Sequence, residues 1–471
     1  MSKNKKKNRK EVLRRVIPLI LILLMLVTTI LSSVMAFAAD ESYWPTGIEV
    51  SPSAAIVMEA STGTILYEKN IDEKHYPASI TKILTGLLAV ENADMDAEVT
   101  FSADAVAESA GGTSSIARDV GEVMTMEQCL YGMMLESANE CAYAIAEYIG
   151  GGDINVFLDM MNEKAKELGC TGSHFNNPNG LPDENHYTTA HDMALISQAA
   201  VNNETLAQIM ATKSYTIPPT NKHEEETLLN NHHSMLNYYK TSKYLYDGCL
   251  GGKTGYTDVA NNTLVTFAER DGMKLICVVM EVDSPYHYTD TISLFDYCFD
   301  NFKLEDASSN ENIFSNIGED SIGALAENID LTEASVSGTV VLPKTASASD
   351  LTISVEPKSD ESNPSVVGQV IYSYGERQVG TGDLIFTATD QTEYPFHNLS
   401  EEEGGSSVAY YRLNFLLVLE ILIIIAAGCG VIFILYHQWN KWSVRIHRHR
   451  EAKRRNKPQY TVIKRRRKRR K

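Results

Sequence analysis

The sequence predicts an α/β sandwich in which helices cover an antiparallel sheet, followed by a small all-β domain and one C-terminal transmembrane helix. Three observations carry that expectation. Between Pro45 and about Lys303, strand-like runs stand near both ends of the segment with helix-period stretches between them. Past Leu304 the helical periods stop and alternating runs replace them. Leu413 to Tyr436 is a 24-residue apolar stretch holding one acid, Glu420, long enough as a helix to cross a hydrocarbon core of roughly 30 Å.

Taken in order, Ala54–Met58 and Thr64–Tyr67 read as two strands around Ala60-Ser61-Thr62-Gly63. A helix opens near Ser79, with Ile83, Leu84, Leu87, Leu88 and Val90 at helical spacing. Another is expected from about Thr125 to Ile149, stopped by Gly150-Gly151-Gly152. Val156–Leu168 and His191–Val201 also have helical period. Asn262–Glu269 and Lys274–Val282 form a hairpin on Asp271-Gly272, a pair suited to the left-handed turn that closes two strands. Thr289–Phe302 is the last helix of this unit. In the β-rich part, Ser335–Leu342, Leu351–Val355, Val366–Tyr374 and Leu384–Thr387 alternate like strands, with Gly375, Gly380 and Gly382 read as turns.

The ends speak of export. Eight Lys and Arg against one acid, then an apolar run from Val16 to about Val34, then Ala36-Phe37-Ala38, have the form of a signal peptide cut before Ala39. The last 31 residues hold sixteen Lys and Arg against one acid, and positive charge beside a span marks the cytoplasmic side. The expected organisation is signal peptide 1–38, catalytic domain 39–304, β-rich domain 305–398, linker 399–412, span 413–436 and basic cytoplasmic tail 437–471. The catalytic domain would then lie outside the cell, held at the membrane. The net charge of −19 hides a steeper balance, because the two basic ends leave −41 on residues 39–440. So acidic a region excludes nucleic acid as a partner. Of seven cysteines, none has metal-ligand spacing. Cys129 and Cys141 are expected on one helix, about 18 Å apart along its axis and too far for a disulfide.

Three short strings carry chemistry. In Ser79-Ile80-Thr81-Lys82, a serine and a lysine three apart share a helical face, so the amine can reach the hydroxyl. Lysine is a base only with a lowered pKa, which burial or a second cation such as Lys253 would supply. Ser137-Ala138-Asn139 puts a hydroxyl and an amide into an apolar stretch, which is unfavourable unless both find partners. Lys253-Thr254-Gly255 precedes Tyr256 and the strand from Asn262, where an edge strand can pair with an extended peptide. The backbone N–H groups of Ser79 and Tyr256 are candidates for an oxyanion hole. Alone, the first string reads more readily as a helix cap with a solvated lysine and the third as a glycine turn, while the second is as well a local helix break. The run Gly248 to Thr254 also imitates a phosphate loop, but the glycine needed five places before Gly252 is Asp247.

In that order and spacing the strings resemble the low-molecular-mass penicillin-binding proteins, specifically the serine-type D-alanyl-D-alanine carboxypeptidases. The likeness runs from about Ala54 to Lys303 and includes Phe175-Asn176-Asn177-Pro178-Asn179-Gly180-Leu181, His186 to Ala194 and Asp247 to Thr257. Thr339 to Lys344 is similar, more weakly, to the start of that family's β-rich domain. The resemblance implies a serine β-lactamase/transpeptidase-like fold and needs no metal or cofactor. It makes Ser79 the acylated nucleophile, Lys82 its base and Ser137 a proton relay. Asn139, Lys253, Thr254, Gly255 and Tyr256 would bind substrate. The partner would be the peptidoglycan stem peptide, with β-lactam antibiotics as covalent mimics.

This chain departs from the family in two places. Gly252 stands before Lys253 where an apolar residue is usual. The arginine that family members carry after the last hairpin has no counterpart, since 281–301 contains no Lys or Arg and Tyr288 lies near that place. Peptidoglycan DD-endopeptidase, β-lactamase and a catalytically weak wall-peptide-binding scaffold stand as alternatives. No Glu-x-x-Leu-Asn string follows the second motif to support the β-lactamase.

Overall fold

The computed structural model describes residues 44–307, 334–358, 363 and 365–386. The expected signal peptide, linker, membrane span and basic tail lie outside the described residues. Among those described, no helix is long and apolar enough to cross a membrane.

The elements run β1 Ala54–Glu59, β2 Ile65–Lys69, α1 Lys82–Asn92, β3 Glu98–Thr100, α2 Ala103–Ala107, β4 Val123–Thr125, α3 Met126–Leu135 and α4 Asn139–Ile149. They continue with α5 Ile154–Glu167, α6 Ala190–Asn202, α7 Glu204–Ala211, β5 Ser214–Ile217, β6 Thr227–Asn230, β7 Cys249–Thr257, β8 Asn261–Arg270, β9 Met273–Val282 and α8 Tyr286–Asn301. Last come β10 Phe302–Asp306, β11 Ala334–Val336, β12 Thr339–Pro343, β13 Thr352–Pro357, β14 Val366–Tyr374 and β15 Arg377–Phe386.

The main sheet is antiparallel, in the order β2-β1-β9-β8-β7. Both of its faces are covered. Ala54, Ile56 and Met58 of β1 join Val265, Phe267, Ile276 and Val278 in a core with α1 and α3–α7. Ala55 and Val57 turn the other way, against Leu294, Phe295 and Cys298 of α8. Burial on both faces is why β1 reads as a continuous apolar run instead of alternating. Helix α1 packs against α3, α4, α5, α6 and α7. All its residues from Lys82 to Ala89 are buried, as an all-round apolar helix requires. Burying Ile83, Leu84 and Leu87 contributes about 1.5–3 kcal/mol each, enough to hold a helix that starts with a buried amine.

Five expectations are corrected. Ser79 does not open an α-helix: Ala78–Thr81 is a 3₁₀ turn, with Ala78 at φ +51°, and α1 starts at Lys82. The 125–149 helix is two helices. They are broken at Ser137 (φ +62°), where Asn139 gives its N–H to Ser114 O at 2.9 Å instead of to the preceding turn. The break turns α4 back on α3. The Cys141 thiol therefore stands beside Cys129, burial together with that neighbour raises its pKa, and both are free thiols. In the β-rich part, the expected 335–342 strand divides into β11 and β12 at Ser337-Gly338. Gly380 and Gly382 sit inside β15, not in turns. A Cβ on Gly382 would lie 1.6 Å from Ser337 O, and one on Gly380 2.2 Å from Thr339 O. These glycines mark close strand crossings.

Other expectations hold. Asp271 (φ +53°) and Gly272 (φ +80°) close the β8–β9 hairpin. The last helix begins three residues earlier than Thr289 and runs directly into β10. There β10 pairs with β12 at the edge of an antiparallel sheet ordered β10-β12-β15-β14-β13, with β11 on β15. The Lys253-Thr254-Gly255 string lies within β7, the edge strand of the main sheet.

One buried ion pair holds the loop between α2 and α3. Arg118 Nη1 lies 2.9 Å from Glu122 Oε1, with side chains 3% and 0% exposed. Glu122 also accepts from Asp119 N and from Thr220 Oγ1. Arg118→Met leaves a carboxylate buried without its cation and is expected to cost roughly 3–5 kcal/mol in urea unfolding of the purified protein. A loss under about 1 kcal/mol would show that this pair does not hold the loop.

Candidate active site

Three elements meet at an open cleft of about 640 Å³ lined by Ser79, Ser137, Asn139, Thr254, Gly255 and Tyr256. The 3₁₀ turn bearing Ser79 packs on β7 and β8. A Cβ on Gly255 would sit 2.9 Å from Ser79 N and 2.3 Å from Thr263 Oγ1, so only glycine lets the edge strand run this close. Thr263 Oγ1 in turn donates to Pro77 O at 2.8 Å, tying β8 to the same turn. Tyr256 is 60% exposed beyond this contact.

Lys82 is wholly buried. Its Nζ donates to Ser79 Oγ at 3.1 Å, to Asn139 Oδ1 at 2.7 Å and to Asn179 O at 2.6 Å. All three acceptors are neutral. Burial first, then the nearby Lys253 cation, hold its pKa well below the usual lysine value, against smaller opposing pulls from Glu140 and Glu108. Lys253 is also buried and donates to Ser137 Oγ at 3.0 Å and Thr254 O at 2.9 Å. Burial alone pushes its pKa down to about 7.

The structure thus brings together all eight residues singled out in the sequence. The amide nitrogen of Asn139 makes no hydrogen bond among the described residues, because Lys82 engages only the oxygen.

Sequence reasoning assigned no role to several residues that complete the site. The Asn179 carbonyl, a direct partner of Lys82, is set by its own side chain: Nδ2 donates to Glu108 Oε2 at 2.7 Å and Oδ1 accepts from Leu181 N. Gly180 (φ +88°) lies so near the nucleophile turn that a Cβ there would be 1.8 Å from Ala78 O. Glu140, fully buried, accepts from Ser115 Oγ and Ile116 N at 2.7 Å each and fixes the loop whose Thr113 and Ser114 face the cleft. Asn179 and Gly180 stood in a recognised segment, yet their spacing from Ser79 gave no sign of contact.

Two outcomes are expected from this geometry. Gly180→Ala must displace the turn carrying Ser79, and a misplacement near 1 Å costs about 100-fold in rate, read as acylation by a fluorescent penicillin. Unchanged acylation would mean the turn can yield without moving Ser79. Lys253→Met removes a cation that lowers the Lys82 pKa, so Lys82 keeps its proton to higher pH. The rising limb of the acylation profile should move up by about one pH unit. A limb that stays put or moves down would remove Lys253 from the control of Lys82.

Residues 38–284, more than half of the chain, match the family model described as D-alanyl-D-alanine carboxypeptidase. The chain is 33% identical over 275 residues to D-alanyl-D-alanine carboxypeptidase DacF of Bacillus subtilis, spanning 57% of this chain and 67% of the relative. It is 32% identical over 271 residues to DacB2 of Mycobacterium tuberculosis, spanning 55% and 88%. Among solved structures, the Streptomyces K15 DD-transpeptidase aligns with a TM-score of 0.50 at 29% identity, over 54% of this chain and 100% of that one. Penicillin binding protein 5 of Haemophilus influenzae aligns with a TM-score of 0.57 over 73% of this chain and 98% of that one, and at 23% identity this shows likeness of fold. With its three strings folded into one cleft, this chain belongs to the D-alanyl-D-alanine carboxypeptidase family.

Proposed function

We propose that the protein removes the terminal D-alanine from peptidoglycan stem peptides through an acyl-enzyme on Ser79. The observation that carries this reading is the 3.1 Å contact between Ser79 Oγ and the buried amine of Lys82. Once neutral, Lys82 takes the Ser79 proton as Oγ attacks the carbonyl of the penultimate D-alanine. The backbone N–H groups of Ser79 and Tyr256 receive the oxyanion. The C–N bond then breaks. The proton held by Lys82 is relayed through Ser137, itself hydrogen-bonded to Lys253, to the departing amine, so free D-alanine leaves and Lys82 is neutral again. Water then attacks the ester carbonyl as neutral Lys82 takes its proton, and that proton goes to Ser79 Oγ as the C–O bond breaks and the shortened peptide leaves. Asn139 offers its free amide nitrogen to the substrate. Gly255 and Tyr256 line the edge along which the peptide lies, while Lys253 and Thr254 hold its carboxylate end. β-Lactams enter as mimics of this substrate and stay on Ser79.

The β-lactamase reading has less support. It needs a carboxylate to activate the deacylating water, and Asp258 is the one acid among the described residues lining the cleft. Its carboxylate accepts from Tyr256 Oη at 3.2 Å, on an exposed side chain. We further propose, from the sequence of the two ends, that the catalytic domain is exported and held at the membrane by residues 413–436, with the basic tail in the cytoplasm.

The direct test mixes purified protein with a fluorescent penicillin and with a peptide ending D-Ala-D-Ala. The expected result is a covalent label and D-alanine release, both lost in Ser79→Ala. A label without D-alanine release would favour an endopeptidase or a scaffold. No label at all would overturn the reading.

A further inference from the structure

His287 stands in the wall of the catalytic cleft with no assigned task. It is 8% exposed, its Nδ1 is buried without a partner, and neither ring nitrogen makes a hydrogen bond among the described residues. A buried polar atom without a partner is unfavourable and calls for an explanation. It also occupies the first turn of α8, a 16-residue helix whose N-terminus carries no side-chain cap and no acid. Helix N-termini favour negative charge. The same cleft is lined by Thr254 and Ser234, whose hydroxyls make no side-chain hydrogen bond among the described residues. No Lys or Arg follows in 281–301 to serve as a permanent cation.

We infer that His287 is a specificity-determining residue that binds the C-terminal carboxylate of the substrate as an imidazolium, together with Thr254, so that substrate capture weakens as pH rises. The inference rests on the carboxypeptidase reading for its substrate and adds a titratable clamp to it. In the empty cleft, burial pushes the His287 pKa down to about 4, so the ring is neutral until an anion arrives. A carboxylate at hydrogen-bond distance favours the charged form. Binding therefore takes up a proton, and affinity falls as protons become scarce.

Of the acids near His287, Asp258 lines the same cleft as an exposed side chain and accepts from Tyr256 Oη at 3.2 Å. From the preceding segment come His233, buried with Nε2 on Val265 O and Thr266 Oγ1, and His232, whose Nε2 lies 2.7 Å from Glu136. Lys240 reaches the cleft from the same segment, and Lys253 comes from β7. Tyr288 packs against the ring with centroids 4.1 Å apart. The acids on the same side are committed elsewhere: Asp283 to Asn261 Nδ2 and Asp290 to Ser51 N, each at 2.7 Å. Glu136 is held by His232 and by Asn230 N.

The test measures kcat and KM from pH 5.5 to 8.5 on the full chain, with a peptide ending D-Ala-D-Ala and with its C-terminal amide. The KM of the acid should rise about tenfold across that range, as loss of one charge-assisted hydrogen bond implies, while the KM of the amide stays flat. His287→Leu should lose about tenfold of the preference for acid over amide, with no pH trend left in KM. His287→Arg should restore the preference and keep it constant with pH. A KM of the acid that is flat in the native chain, or a His287→Leu variant that keeps both preference and trend, overturns the inference. If penicillin labels Ser79 but no D-alanine is released, the carboxypeptidase reading fails. The clamp is then judged alone, from acylation rates with benzylpenicillin and its methyl ester across the same pH range. There the same pattern is expected, and equal dependence on pH for acid and ester overturns it.

Discussion

The burial of two lysine side chains in one cleft is the constraint around which this domain is built. Lys82 and Lys253 are each at most 2% exposed, and their hydrogen bonds go to hydroxyl, amide and carbonyl oxygens. A charged amine in such a place is costly unless it is paired or neutral. Neither lysine has a carboxylate within ion-pair distance among the described residues. The outcome is a lowered pKa, which is what a lysine base requires. Carboxylates are nearby but shielded. Glu108 reaches Lys82 only through the Asn179 amide, and Glu140 is turned onto the 115–116 backbone. Direct contact with either would raise the Lys82 pKa and spoil the base.

Holding such a site open takes strain, and the strain is local. Ala78, just before the nucleophile, and Ser137, in the second string, are non-glycine residues at φ +51° and +62°. Each left-handed residue of this kind costs of order 1 kcal/mol and lasts only where its surroundings enforce it. The enforcement is visible at both. Gly180 and Gly255 press on the Ala78–Ser79 backbone. Ala138 N donates to Gly132 O, and Asn139 N donates to Ser114 O, which fixes the break around Ser137. The rigid frame behind them is the β7–β8–β9 sheet with α1 packed at the centre of the helices.

Much of this was legible in the sequence, in a particular way. Ser79, Lys82, Ser137, Asn139 and the β7 residues announce themselves because their chemistry is local. The β8–β9 hairpin and the helices at 154–167 and 190–202 follow from Asp-Gly and from periodicity. The break at Ser137 was hidden because apolar residues continue at helical spacing through Leu135, Ala138 and Cys141. What breaks the helix is a carbonyl 25 residues away in sequence, Ser114 O. The same blindness put Cys129 and Cys141 far apart when the break brings their thiols together. Gly380 and Gly382 misled for a related reason. A glycine permits a turn and a close crossing alike, and only the neighbouring strand decides which.

The two walls of the cleft face opposite electrostatic demands, and this explains their separate construction. The wall that makes a nucleophile must keep charge away from Lys82, so it is made of Asn139, the Asn179 carbonyl and hydroxyls. The wall that meets an anionic peptide end must supply positive charge. It draws on Lys240, on His232, on the first turn of α8 and on Thr254. A permanent cation in the first turn of α8 would add its charge to the cleft whether or not an anion is bound. A histidine that stays neutral until an anion binds supplies charge only when its partner is there to neutralise it. The base and the clamp can then share one cleft of about 640 Å³ without either holding the other in the wrong protonation state. Lys253 stands beside Thr254 in β7 and reaches Ser137 Oγ with its amine. Burial pushes its pKa down to about 7.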